Sequence, residues 1–193
     1  MNLDNMKCPF CRVPTPNHVE VIKMYKKRME MDDANAIYNV GCYYRNGELG
    51  FPRDSAKAFE LFLRAGELGS AKSYYNVGNA YLNGEGVEMD MKQAKHYWEL
   101  AAVGGYTGPA RYNLGIIEKI EGNMSIALKH YMIAVECGHD LSLKKVREFY
   151  TSGHATKDDY ANALRSYQNY LDRVKSAQRD EAAAFDSDEY RYY

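Results

Sequence analysis

One triplet constrains this chain more than any other feature. Asn39-Val40-Gly41, Asn76-Val77-Gly78 and Asn113-Leu114-Gly115 recur at intervals of 37 residues. A second pattern follows each triplet: Ala58, Leu61, Phe62, Ala65 and Gly69 are echoed by Ala94, Tyr97, Trp98, Ala101 and Gly105. Ala127, His130, Tyr131, Ala134 and Gly138 form a third copy, and Ala163, Ser166, Tyr167 and Tyr170 a degenerate fourth without its closing glycine. Offsets of 0, +3, +4 and +7 draw one stripe along a helix. The glycine eleven residues after the first alanine falls where a helix closes on a left-handed residue. The triplet segment is helical too, with Ala36, Ile37, Val40, Gly41 and Tyr44 as its inner face. Glycine inside a helix costs about 1 kcal/mol against alanine, so three at one frame predict a close helix–helix contact that needs them. Turn residues, Asn46-Gly47 to Phe51-Pro52 and Asn83-Gly84-Glu85-Gly86, separate the two helices of each unit. A lone hairpin cannot bury its stripe, but stacked hairpins can, so an all-α superhelical solenoid is expected.

The segment Asn76-Val77-Gly78-Asn79-Ala80-Tyr81-Leu82-Asn83-Gly84-Glu85-Gly86-Val87-Glu88-Met89-Asp90, followed by Ala94 to Gly105, resembles a SEL-1-like repeat, a relative of the tetratricopeptide repeat. The resemblance covers about residues 32–171 and divides them near 32–69, 70–105, 106–139 and a degenerate 140–171. It implies an α-α superhelix of antiparallel helix pairs that acts as a scaffold or adaptor for other proteins. Some bacterial members are connected with β-lactam hydrolysis. Those carry a cysteine pair in every repeat, and this chain, with four cysteines in all, does not.

Before the repeats, residues 1–16 form a Pro-rich lead holding Cys8-Pro9-Phe10-Cys11-Arg12. A Cys-x-x-Cys pair suits tetrahedral zinc, and the pentapeptide resembles the last ligand pair of a RING-type domain of ubiquitin ligases. A RING needs eight ligands and only seven residues precede Cys8. Zinc at Cys8 and Cys11 would therefore need ligands from upstream of Met1 or from a partner. Residues 17–31 are expected to form a capping helix, with Val19, Ile22, Tyr25 and Met29 along one side. Its four basic residues meet three acidic ones by residue 32, the pattern of a solvated face and not of a nucleic-acid grip. Residues 172–193 carry the end of the last helix and an acidic tail with Tyr190, Tyr192 and Tyr193.

Composition narrows the function classes. A net charge of −1 speaks against coating nucleic acid or an anionic membrane. No apolar run approaches a membrane span and the first residues are polar, so a soluble, cytoplasmic chain is expected. No phosphate-binding Gly-x-x-x-x-Gly-Lys occurs, and Gly84-Glu85-Gly86 follows no strand. None of the five histidines has the helical partner spacing of a metalloprotease, and no carboxylate pair stands out for acid–base work. No catalytic residue and no cofactor are assigned.

What remains is a surface. First helices of successive units line the concave side of a solenoid, where partner segments bind. Asn39, Asn76 and Asn113 form a ladder there, with Asn79 at a position that varies between repeats and Tyr43, Tyr75, Arg111 and Tyr112 as added contacts. The first reading of these asparagines is structural, side chains bonding to the backbone or loop of a neighbouring repeat; a ladder of amides holding an extended peptide is the functional alternative. The expected function is a non-catalytic scaffold holding a peptide or helix of a partner protein, with no nucleic acid and no membrane involved. Two alternatives stay open: the substrate-recruiting part of a RING-type ubiquitin ligase, meeting ubiquitin-pathway proteins, and a β-lactamase-like repeat enzyme.

Overall fold

The structure is a computed structural model, and it describes residues 18–175. Among the described residues there are nine α-helices and no strand: α1 (His18–Glu30), α2 (Ala34–Asn46), α3 (Ser55–Glu67), α4 (Ala71–Asn83), α5 (Met91–Val103), α6 (Thr107–Ile120), α7 (Met124–Glu136), α8 (Asp140–Thr151) and α9 (Lys157–Val174). The described residues divide into two compact units, one up to Tyr106 and one from Thr107. Cys8, Cys11, Asn17 and the acidic Tyr-rich segment after residue 175 lie outside the described residues.

In the first unit α2 pairs with α3 and α4 with α5, while α1 lies on α2 and α3 on α4. The mid-helix glycines are the reason the pairs approach so closely. A Cβ on Gly41 would stand 2.8 Å from the Phe62 ring, and one on Gly78 would stand 2.6 Å from the Trp98 indole. Each glycine is thus the seat of the aromatic four residues into the next helix's stripe. Phe62 and Trp98 are buried, Trp98 with only 1% of its surface exposed. That exclusion of water, not helix propensity, stabilises the pair: each fully buried aromatic contributes on the order of 2–3 kcal/mol of transfer free energy.

The second helix of each pair is bounded by defined caps. Asp54 and Asp90 accept backbone N–H bonds at the starts of α3 and α5, from Lys57 at 2.9 Å and from Lys92 at 2.8 Å. At the end of α3 the Ser70 N–H reaches back to Ala65 C=O at 2.9 Å, across Gly69 at φ +94°. At the end of α5 the Tyr106 N–H does the same to Ala101, across Gly105 at φ +99°. This closing turn satisfies carbonyls that the helix leaves orphaned and requires the left-handed residue that glycine adopts without strain.

The second unit repeats the device with different residues. α6 packs on α7, α7 on α8 and α9, and α8 on α9. A Cβ on Gly115 would sit 2.6 Å from the Tyr131 ring. α7 closes through Gly138 with His139 N–H to Ala134 C=O, and α8 closes through Gly153 with His154 N–H to Phe149 C=O. A Cβ on Gly138 would overlap the Tyr170 ring of α9. The loop between α6 and α7 is only residues 121–123, against 84–90 between α4 and α5. The core holds Ala127, Tyr131, Val135, Val146, Phe149 and Ala163. A reciprocal Thr156–Asp159 capping box starts α9.

Candidate partner-binding face

In the first unit the residues nominated on α2 and α4 fall into three small groups. Asn39 and Tyr43, one helical turn apart on α2, meet Tyr25 of α1. Asn39 Nδ2 donates to the Tyr25 hydroxyl at 3.4 Å, and the Tyr43 hydroxyl lies 3.3 Å from it. Tyr25 and Tyr43 pack edge to face at 5.5 Å, and Phe51 stacks on Tyr43 at 5.9 Å. The hydrogen bond with Tyr25, followed by desolvation, pushes the Tyr43 phenol up to about 12. This hydroxyl stays neutral and serves as a half-buried hydrogen-bonding group.

Asn76 and Asn79, again on neighbouring turns of one helix, form the second group. Asn76 is 8% exposed, and its Oδ1 accepts from Arg45 Nη1 of α2 at 3.2 Å. Asn79 Oδ1 accepts from the Trp98 indole N–H of α5 at 3.2 Å. Both amides therefore fix side chains of other helices. Burial, opposed in part by the Asn76 amide, raises the phenol of neighbouring Tyr38. The third group is Tyr75, whose ring lies 5.1 Å from Tyr106, both half-buried.

In the second unit Arg111 on α6 lies with its Nη1 3.3 Å from His130 Nδ1 on α7. Its Nε is buried with no hydrogen-bond partner among the described residues. Tyr112 packs on His139 at 5.0 Å and on Tyr131 at 6.0 Å. Asn113 is half-buried on the same helix. His139 bonds through Nδ1 to the Ser142 hydroxyl at 2.9 Å, and burial, partly offset by Asp140, holds its pKa below the ordinary value.

Sequence reasoning passed over three of the participants: Arg45, Tyr25 and Tyr106. Arg45 had a readable signal, because the repeat frame places Leu82 and Lys119 at its equivalents. Tyr106 occupies the position after the closing glycine, where the other repeats have Ser70 and His139. Tyr25 lies outside the repeats, and its partnership with α2 is visible only in three dimensions.

Among the described residues no three His, Cys, Asp or Glu side chains are grouped to hold a metal ion. Cys42 and Cys137 are free thiols, the first half-buried and the second exposed. Among those residues, too, no helix is long and apolar enough to cross a membrane.

A family model for the Sel1 repeat matches residues 34–70 and 71–106, the α2–α3 and α4–α5 pairs with their closing turns. Residues 34–106 are thus similar to two consecutive Sel1 repeats. A Sel1 repeat protein from Oxalobacter formigenes superposes with a TM-score of 0.70 at 25% identity, over 83% of this chain and 66% of that one. A protective antigen of uropathogenic Escherichia coli strains with an SLR fold superposes with a TM-score of 0.66 at 29% identity, over 80% of this chain and 33% of that one. The chain thus spans less than two thirds of either neighbour's length. No curated protein compared with it matches the sequence. The fold class is an all-α helical-repeat solenoid, as the spacing predicts.

Proposed function

We propose that the chain is a non-catalytic protein-interaction scaffold that holds an extended peptide or a helix of a partner on its first helices. Sel1 repeats generally serve as protein-interaction scaffolds. The observation that carries the reading to particular residues is the organisation of α2 and α4. Their polar groups are fixed in advance by Tyr25, Arg45 and Trp98, and the half-buried rings of Tyr43 and Tyr75 lie alongside. Groups already ordered lose little conformational entropy on binding, and tyrosine combines apolar area with a hydrogen-bonding end.

The asparagines are poor targets for a test, since removing Asn76 or Asn79 disturbs Arg45 or Trp98 as well. Tyr43→Ala combined with Tyr75→Ala strips contact area while leaving the repeat glycines and their aromatics alone. A photo-crosslinker at Lys72, an exposed position on α4, then identifies what docks. The proposal expects one crosslinked partner with the native chain and its loss with the double variant at unchanged circular dichroism. An undiminished crosslink with the double variant would overturn it.

A further inference from the structure

A cavity of about 20 Å³ opens among α2, α3 and α4, bordered by Arg45, Ser55, Phe62, Asn76, Asn79 and Glu85. This is room for one water or one ligand oxygen atom. The guanidinium at its edge is unusual. Arg45 is half-buried, its Cζ stands 5.6 Å from the centre of the Phe62 ring, and one N–H is held by Asn76 Oδ1. Among the described residues no carboxylate pairs with it, although ion pairs restrain Arg28, Lys57, Arg64, Lys144 and Lys145. A guanidinium carries five N–H donors and no acceptor. Fixed by a ring on one face and an amide at one N–H, it keeps donors for a charged acceptor, and the cavity admits one carboxylate oxygen.

Glu85 also borders the cavity, but it is an exposed side chain and belongs to the turn after α4. Its Oε1 accepts from Asn83 Nδ2 at 3.4 Å, as Glu48 accepts from Asn46 at 3.0 Å one repeat earlier. Glu85 thus has a local role and remains hydrated. Its repulsion toward an incoming anion is screened, whereas the Arg45 bond forms where water is partly excluded.

We infer that the Arg45 cavity is a receptor for a single carboxylate, the side chain of an Asp or Glu in the partner segment. Arg45 makes the charge-assisted bond and Phe62 and Asn76 position its guanidinium. The inference rests on the scaffold reading above and narrows it: the partner is acidic at one register position, set by repeat 1. Within the frame, Leu82 and Lys119 stand where Arg45 does, so repeat 1 alone combines a guanidinium with this position.

The test pans the full chain against a random peptide library displayed on phage, in parallel with its Arg45→Gln variant. With the native chain, enriched sequences are expected to share one Asp or Glu; with the variant that preference is expected to vanish. An enriched peptide is then compared with its Glu→Gln (or Asp→Asn) analogue. Trp98 is the one tryptophan of the chain, and its indole N–H donates to Asn79 at the cavity's edge, so its single indole NMR signal follows occupancy. The neutral analogue should bind about tenfold more weakly, the loss expected for one charge-assisted bond. Glu85→Gln should tighten the acidic peptide, because a screened repulsion is removed. Enrichment without acidic residues, equal binding of the neutral analogue, or weakening by Glu85→Gln would each overturn the inference. The analogue comparison uses the native chain and so does not depend on the variants folding. Failure here with Tyr43 and Tyr75 still required for the crosslink would overturn only the carboxylate receptor. An acidic preference that survives Tyr43→Ala with Tyr75→Ala, alongside an undiminished crosslink, would instead overturn the scaffold face and leave the receptor standing.

Discussion

Three equivalent positions, Phe62, Trp98 and Tyr131, show how one packing problem is solved by three side chains. Each fills the space over a glycine of the preceding helix. Phenylalanine brings no polar atom, and the Trp98 N–H is satisfied by Asn79. Tyr131 is fully buried with a hydroxyl that has no partner among the described residues. A buried unsatisfied hydroxyl costs about 1–3 kcal/mol. Tyr131→Phe is therefore expected to raise stability by about 1 kcal/mol, read as a higher urea midpoint at unchanged slope; a lower midpoint would show that the hydroxyl has a partner after all. Gly78→Ala should act in the opposite sense. Alanine gains about 1 kcal/mol of helix propensity, yet its Cβ would meet an indole that is fully buried and hydrogen-bonded. Overpacking at such a site costs about 1–3 kcal/mol, so a net loss is expected. An unfolding midpoint equal to or above that of the native chain would contradict it.

Helices here are as much a matter of their ends as of their faces. Asp33 caps α2 by accepting from the Asn35 and Ala36 N–H groups, and Arg28 binds it at 2.6 Å. The Arg28 hydrogen bond is the main reason its carboxyl titrates below the ordinary value of 3.8. Asp159 is lowered chiefly by the Thr156 hydroxyl, and Asp140 chiefly by Lys144. A carboxylate whose folded pKa is depressed contributes stability that is present above its unfolded value and lost as pH falls through the folded one. The urea midpoint is accordingly expected to drop as pH is taken below about 4. In the double variant Asp33→Asn, Asp159→Asn the midpoint should start lower and fall less steeply. A slope equal to that of the native chain would show that these caps do not set the acid limit. At the other helix ends, the left-handed glycines 69, 105, 138 and 153 serve one closing turn four times.

At the scale of the whole molecule, the tyrosines form the broadest shared property. Burial raises the phenols of Tyr38, Tyr97, Tyr106 and Tyr131, the last to about 12, and the Tyr25 hydrogen bond raises Tyr43 to about 12. A phenol whose folded pKa lies above its unfolded one stabilises the fold fully below the ordinary value of 10, and this is lost as pH rises through about 12. Both units carry such residues. Phenolate absorbance should therefore rise in two phases, the second coinciding with loss of helical circular dichroism. A single phase near the ordinary value with helicity intact would contradict the burial argument.

The spacing of 37 residues, the offsets within the second helix and the closing glycines already determined the helix hairpin, its repetition and its inner face. These follow from local geometry, since 3.6 residues per turn and one left-handed residue are the same wherever a chain puts them. The glycine at mid-helix announced a close contact, and Trp98, a member of the second-helix stripe, is buried. The candidate site was legible only as positions on first helices. That Asn76 holds Arg45, that Asn79 holds Trp98, and that Tyr25 ties Asn39 to Tyr43 were decided by tertiary structure. Each of these bonds joins residues 14 to 31 positions apart. No periodicity in the sequence encodes which polar side chains meet at such separations. They depend on the distance and rotation between packed helices, and those are set by the volumes of Phe62 and Trp98 against their glycines.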